Sequence, residues 1–400
     1  MGDADLPHPP AARAGSPPEI TLTEELTTDA VEIAPDTYWV GRRDPGGIFF
    51  ANPYLRVFRG GEGKAEQMNM LIDPGASSDF AVVQAKCASV MGSIRKTHAV
   101  FINHQDPDVG SVVGPLMARF APHARLLCSE DTWRLVRFFN VPKDRYVCVD
   151  PYVKDGLRLP TGHQLAPVPS PYCHFAGAVM LYDPETRVLF TGDLFGGLTA
   201  KDARGLWADE SDWPGMRAFH QLYMPANAAL KHAVAAIRAL DPAPEILAPQ
   251  HGRLARGAMV EEFLSRIERL PVGVDLLADR NASPDELRAW SHVLNRVIAT
   301  ARTYLGATAE TRLVDDEDLA PLLEPTNEGL RVVRLGKWAV ERAVHLLTDA
   351  EVPAVANAVR YEAIFAASEL DLPSPNIELA DEGETAQMAA QLGSLGSPAE

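Results

Sequence analysis

The chain has 400 residues, 46% hydrophobic and 23% charged, a globular composition long enough for one large domain and a smaller one. Thirty-seven basic against 54 acidic residues leave a formal charge of -17, so the average surface repels phosphate backbones and anionic headgroups, which argues against nucleic acid as a partner. The N-terminal stretch has no apolar signal core and no run approaches the roughly 18 apolar residues of a membrane span, so a soluble cytoplasmic protein with no membrane partner is expected.

Residues 1–18 are rich in Pro, Ala and Gly without hydrophobic periodicity, and a flexible leader is expected there. Residues 19–275 are expected to form the main domain. Tyr54 to Phe58 and Gln67 to Ile72 are strand-like runs flanking Gly60, Gly61 and Gly63; they predict a hairpin whose glycines supply the turn, because no helix follows to hold a phosphate. Ala99 to Asn103 has the pattern of a buried strand and Ser111 to Phe120 that of a helix. Arg125 to Cys128, Tyr146 to Val149, Ala178 to Tyr182, Val188 to Thr191 and Glu245 to Ala248 continue the alternation of short strands and helices. The fold class expected is a layered α/β (α+β) domain. Cysteines at 87, 128, 148 and 173 form no CxxC pair, as expected of buried thiols in a reducing compartment.

The pattern becomes helical over residues 276–372. Ser283-Pro284-Asp285-Glu286 has the form of an N-cap, a first-turn proline and a capping glutamate, and Leu287, Trp290, Leu294, Val297, Ile298, Ala301, Tyr304 and Leu305 follow on one face. Residues 329–349 and 353–370 predict two further amphipathic helices. Residues 373–400 contain no Lys or Arg and are acidic and small-residue-rich, the composition of a disordered tail.

The densest chemical signal is Asn103-His104-Gln105-Asp106-Pro107-Asp108-Val109-Gly110, where an imidazole and two carboxylates alternate between a strand and a helix. Alone, that pattern is equally a solvated Asp-Pro turn. Three later segments change the balance: His174 in Pro171-Tyr172-Cys173-His174, Asp193 in Phe190-Thr191-Gly192-Asp193, and His251 in Pro249-Gln250-His251-Gly252. Each metal-capable side chain stands beside an apolar strand, and four such segments in order predict one shared metal site.

The order H-x-[acid]-x-D, then H, then the aspartate of Thr191-Gly192-Asp193, then the final His251-Gly252 resembles the metallo-β-lactamase superfamily, whose αββα sandwich is thereby implied over residues 25–270. Hydrolases of that superfamily typically carry histidine at the place of Asp106. A carboxylate there resembles the flavodiiron proteins and the related oxygen-binding di-iron proteins, as do Thr191 to Gly196 and the segment from Phe219 through Tyr223-Met224-Pro225 to His251. The resemblance implies His104, Asp106 and His174 at a first metal, Asp108 and His251 at a second, and Asp193 as the bridge. It departs in two places: Val109 stands where a histidine is usual, and Asp106 is one methylene shorter than the usual glutamate.

Three imidazoles and three carboxylates favour two iron ions, with zinc or manganese as alternatives. The expected ligand is dioxygen or nitric oxide, bound by a sensor or reduced by an oxidoreductase with a separate electron donor. Residues 276–372 show no alternating strand and helix order and no phosphate loop, so no FMN domain is expected in this chain. That resembles the branch lacking the flavodoxin domain. His220 and Tyr223 are candidates for hydrogen bonding at the site or to its ligand. The alternative function is metal-dependent hydrolysis of an ester, lactone, thioester or phosphoester. The helical region is expected to serve dimerisation or signal output in a homodimer.

Overall fold

The structure, a computed structural model, describes residues 29–43, 49–200, 203–280 and 282–377. The expected leader and nearly all of the expected tail lie outside the described residues. The chain divides into two units, Met1–Gly273 and Val274–Glu400.

In the first unit, seven strands form one sheet in the order β1 to β7: Val31–Ala34, Thr37–Trp39, Tyr54–Arg59, Gln67–Ile72, Ala99–Phe101, Arg125–Cys128 and Tyr146–Cys148. The first four pair antiparallel, and β4 to β7 run parallel. A second sheet holds β8 (Leu157–Arg158), β9 (Gln164–Pro169), β10 (Val179–Asp183), β11 (Val188–Gly192), β12 (Ile246–Pro249) and β13 (Ala255–Arg256), in the order 13-12-11-10-9-8. The expected 54–72 hairpin forms, with Tyr54 opposite Ile72 and Arg59 opposite Gln67.

Alternation along the strands assigns the layers, because successive side chains point to opposite faces. In β11, Val188 and Phe190 enter the core between the sheets while Leu189 faces outward, and in β10 Val179 and Leu181 alternate likewise with Met180 and Tyr182. The outward set of the second sheet is covered by helices Trp213–Tyr223, Asn227–Arg238 and Ala258–Arg269, which contribute Trp213, Phe219, Leu230, Val234, Phe263 and Ile267. The first sheet's outer face is covered by Phe80–Met91 and Glu130–Val136 through Val83, Cys87, Trp133 and Val136. Each such side chain stabilises by roughly 1.5–3 kcal/mol on burial. The result is the αββα sandwich. Cys87, Cys128 and Cys173 are buried free thiols, whereas Cys148, on the edge strand, is half-buried.

The segment expected as one helix over 111–120 is broken. It begins earlier, at Pro107–Gly110, and ends in a wide-turn helix over Leu116–Phe120.

The second unit has its own core, in which Trp290, Val293, Leu294, Val297, Ile298 and Ala301 of helix Pro284–Leu305 meet helices Thr308–Val314, Gly336–Thr348 and Pro353–Glu369. Ser283 caps the long helix by accepting the Glu286 N–H at 3.0 Å. Tyr304, expected on the buried face, is 54% exposed. The unit is not wholly helical: Leu323–Thr326 and Gly329–Val332 pair as an antiparallel hairpin, so the helix expected from 329 starts at Gly336. Leu330 and Val332 alternate with Arg331, a strand period too short to stand out in sequence. Among the described residues, no helix is long and apolar enough to cross a membrane.

Candidate metal centre

The six carboxylates and imidazoles come from loops after strands β5, β11 and β12 and from the β9–β10 connection. The first three lie at the carboxyl ends of parallel strands, where side chains from neighbouring crossovers converge. Asp106 precedes the turn of helix Pro107–Gly110 that carries Asp108. Gly192 makes the approach of the sheets possible. Its φ is +60°, and a Cβ there would stand 2.1 Å from the Asn103 side chain, so only glycine lets Asp193 sit beside His104.

The donor atoms fall into two groups that share Asp193. His174 Nε2 lies 3.1 Å from Asp106 Oδ2 and 3.2 Å from Asp193 Oδ2. His104 Nε2 lies 3.5 Å from the same Asp193 oxygen and 3.7 Å from Asp106 Oδ2. On the other side, His251 Nε2 is 3.3 Å from Asp108 Oδ2 and 3.4 Å from Asp193 Oδ1. One carboxylate therefore offers one oxygen to each group. Two donors bound to one ion at about 2.0–2.2 Å and set at tetrahedral or octahedral angles stand about 3.0–3.5 Å apart, so the donor set fits a pair of ions. Among the described residues, His104, Asp106 and His174 satisfy the spacing of a metal-binding triad. His104 Nε2 and Asp193 Oδ1 are buried without a hydrogen bond, and burying such groups unmatched is costly unless a cation meets them.

Electrostatics point the same way. The Asp106 and Asp193 carboxylates push the His174 imidazole up to about 10. Burial pulls His251 down, but Asp108 and Asp193 outweigh it and bring it to about 10. Burial would raise Asp193, yet His104, His174 and His251 hold it well below the usual carboxylate range. The carboxylates thus draw positive charge to the imidazoles, charge that a cation supplies when it displaces those protons.

The supporting residues fix which nitrogen of each ring faces the centre. Asn103 Oδ1 lies 3.0 Å from His104 Nδ1, which leaves Nε2 as the presented donor. Asp73 Oδ1 accepts the Asn103 N–H at 2.8 Å, and burial pushes Asp73 up to about 7. The Phe50 carbonyl, 2.7 Å from His251 Nδ1, holds the second ring in the same sense. Asn103 and Asp73 carry no sequence signal of this supporting role beyond standing at the end of a strand.

His220 does not reach the centre. Its Nδ1 lies 2.8 Å from Met216 O, and its Nε2 accepts the Phe195 N–H at 3.1 Å. It therefore supports the loop after Asp193, where Phe195 has φ +65°. Tyr223 does lie beside the centre: its ring is 5.9 Å from that of His174 and 4.7 Å from Phe219. Phe219 in turn is 5.4 Å from His251, on which Phe49 stacks at 4.3 Å. An aromatic arc thus runs from one imidazole group to the other. Val109 is buried among Val83, Ile102 and Val113 in the first sheet's outer core.

The anaerobic nitric oxide reductase flavorubredoxin of Pectobacterium carotovorum is 27% identical over 175 residues, 42% of this chain and 33% of that protein. The chain spans only 24–33% of the length of the curated relatives it matches. The solved peroxy diiron species of chemotaxis sensor ODP aligns at 26% identity and a TM-score of 0.50, over 62% of this chain and 97% of that one. The apo state of chemotaxis sensor ODP from T. denticola aligns at 25% identity and a TM-score of 0.51, over 62% and 96%. Residues 49–252, just over half of the chain, match the model of the ODP family beta lactamase, and the chain belongs to that family, on the flavodiiron-like branch of the metallo-β-lactamase fold.

Proposed function

We propose that this chain would hold two iron ions and, with them bound, takes dioxygen or nitric oxide as its ligand, as a sensor or as an oxidoreductase served by a separate electron donor. The observation that carries this reading is the division of Asp193, with Oδ2 3.2 Å from His174 Nε2 and Oδ1 3.4 Å from His251 Nε2. His104, Asp106 and His174 would hold one ion and Asp108 and His251 the other, with Asp193 shared. Three carboxylates among six donors form a harder set than an all-imidazole one and favour iron or manganese over zinc. The likeness to a sensor solved as a peroxy diiron species, and to a nitric oxide reductase flavorubredoxin, supports the ligand class.

When bound, ferrous ions supply the electrons and the open coordination positions that a diatomic ligand requires. The chain's own residues prepare the place. Asn103 and the Phe50 carbonyl hold two rings in one tautomer. Phe49, Phe219 and Tyr223 line the imidazoles with aromatic rings, surroundings in which a neutral diatomic loses little solvation. Val109 is an apolar side chain buried in the first sheet's outer core, so Asp108, His251 and the shared Asp193 are the residues that would hold the second ion. Tyr223, whose ring lies 5.9 Å from that of His174, is assigned to offer its hydroxyl as a hydrogen-bond donor to a ligand, whereas His220 positions the Asp193 loop. The helical unit is assigned to dimerisation or output in a cytoplasmic homodimer.

Metal analysis and an anaerobic ultraviolet-visible spectrum of protein made in iron-replete medium test the reading. About two irons per chain and a new band on admitting air or nitric oxide are expected. Two zinc ions, a silent spectrum and turnover of an ester, thioester or phosphoester would replace it with the hydrolase.

A further inference from the structure

The turn that carries His251 is held from the opposite sheet. Asn52 is fully buried, and its side chain makes three hydrogen bonds. Oδ1 accepts the Trp39 Nε1–H at 2.9 Å, and Nδ2 donates to Pro249 O at 3.1 Å and to Gly252 O at 2.8 Å. Its main-chain N–H donates to Gln250 O at 2.6 Å. Trp39 can only donate, and the two carbonyls can only accept, so the orientation of the amide is fixed by its partners. Tyr54 adds a hydroxyl to Pro249 O at 2.6 Å, and Arg43 Nη2 donates to Gly252 O at 2.8 Å.

Residues 249, 250 and 252 are thus each tied to the segment between Trp39 and Tyr54, and His251 lies between them. Its ring bonds to the same segment through Phe50 O. The turn has little freedom of its own: Gly252 has φ +77°, and a Cβ there would stand 2.9 Å from Gly197 N. Among the described residues, no comparable tie from this segment reaches His104, which takes its orientation from Asn103.

We infer that Asn52 is the positioning residue of the second metal position: it places His251 and sets the affinity of that position independently of the first. The inference rests on the two-metal reading above. A ligand that must be ordered on binding costs affinity, and loss of a partner that orders a metal-ligating histidine typically lowers metal affinity 10–100-fold. In Asn52→Asp the Trp39 bond survives, but an oxygen replaces the NH2 that faced two carbonyls. In Asn52→Ala all three bonds are lost.

Anaerobic titration with ferrous ion, followed by Mössbauer spectroscopy of the loaded protein, provides the test. In both variants the weaker of two stepwise affinities should fall about tenfold or more while the stronger stays within about twofold. One of the two Mössbauer doublets should broaden or shift with the other unchanged, a signature that general destabilisation does not produce. Parallel weakening of both affinities, or no change in either, overturns the inference. Wild-type protein that takes up fewer than two ions overturns the two-metal reading itself, a separate result. If the buried substitutions prevent folding, Tyr54→Phe removes one bond and keeps the ring. The same selective loss, smaller in size, is then expected, and an unchanged second affinity overturns the assignment.

Discussion

At the scale of single residues, Asp193 is distinguished from the other five donors by touching both groups. Replacing it with Ala should lower occupancy at both positions, whereas Asp108→Ala should empty mainly the second, because Asp108 pairs with His251 alone. Equal losses in the two variants, measured as metal per chain after dialysis, would contradict the shared role. His220 gives a prediction in pH. Burial lowers its pKa to about 4, against about 6.5 when unfolded. Between those values the unfolded chain binds the extra proton, so stability rises with pH across that window. The contribution is full above about 6.5 and is lost as pH falls towards 4, by roughly 3 kcal/mol at most. In His220→Gln, which keeps an acceptor for the Phe195 N–H without a titrating group, urea midpoints of metal-free protein at pH 4.5 and 7 should differ less than in wild type. The six side chains that converge here, proposed as the metal ligands, could be named from sequence, because each stands beside an apolar run. Asn52 and Phe50 could not, since a ligand's supporting partners are set by which strands meet across the sandwich.

At the scale of elements, a buried ion pair ties the two sheets of the sandwich together. Arg56 on β3 and Asp183 on β10 stand 2.7 Å apart, with 3% and 1% of their side chains exposed. Asp183 also accepts the Glu185 N–H and the Thr186 hydroxyl, both at 3.0 Å. A buried cation left without its partner costs about 3–5 kcal/mol. Asp183→Ala should lower the melting temperature accordingly, while Asp183→Leu with Arg56→Met recovers much of the loss; additive losses in the double variant would show that the pair is not coupled. Strands of period two and the capped helix at Ser283 were legible because local pattern and burial agree there. The Leu323–Val332 hairpin was not, because each strand has four residues, shorter than any window in which helix and strand periods separate.

At the scale of the molecule, the two units have separate cores. The apolar residues of the second unit's core all fall at or after Trp290, and those of the three clusters in the first unit at or before Val272. A core of this kind lets each unit hold its fold by its own burial. The proposed dimer contact belongs to the second unit, where helix Pro353–Glu369 keeps Tyr361 and Phe365 exposed at 44% and 60% with rings 6.2 Å apart. These two aromatics are one turn apart, and neither contributes to the unit's own core, so a second copy of the chain is the occupant proposed for them. Truncation after Val274 should leave a protein that still takes up two metal ions and runs as a monomer in light scattering. Phe365→Glu in the full chain should give the same shift in mass with unchanged metal content, because a charge at the centre of an apolar contact costs the interface and leaves the unit's core intact. A truncated chain that stays dimeric removes the dimerisation role from the helices. One that loses its metal makes them part of the site.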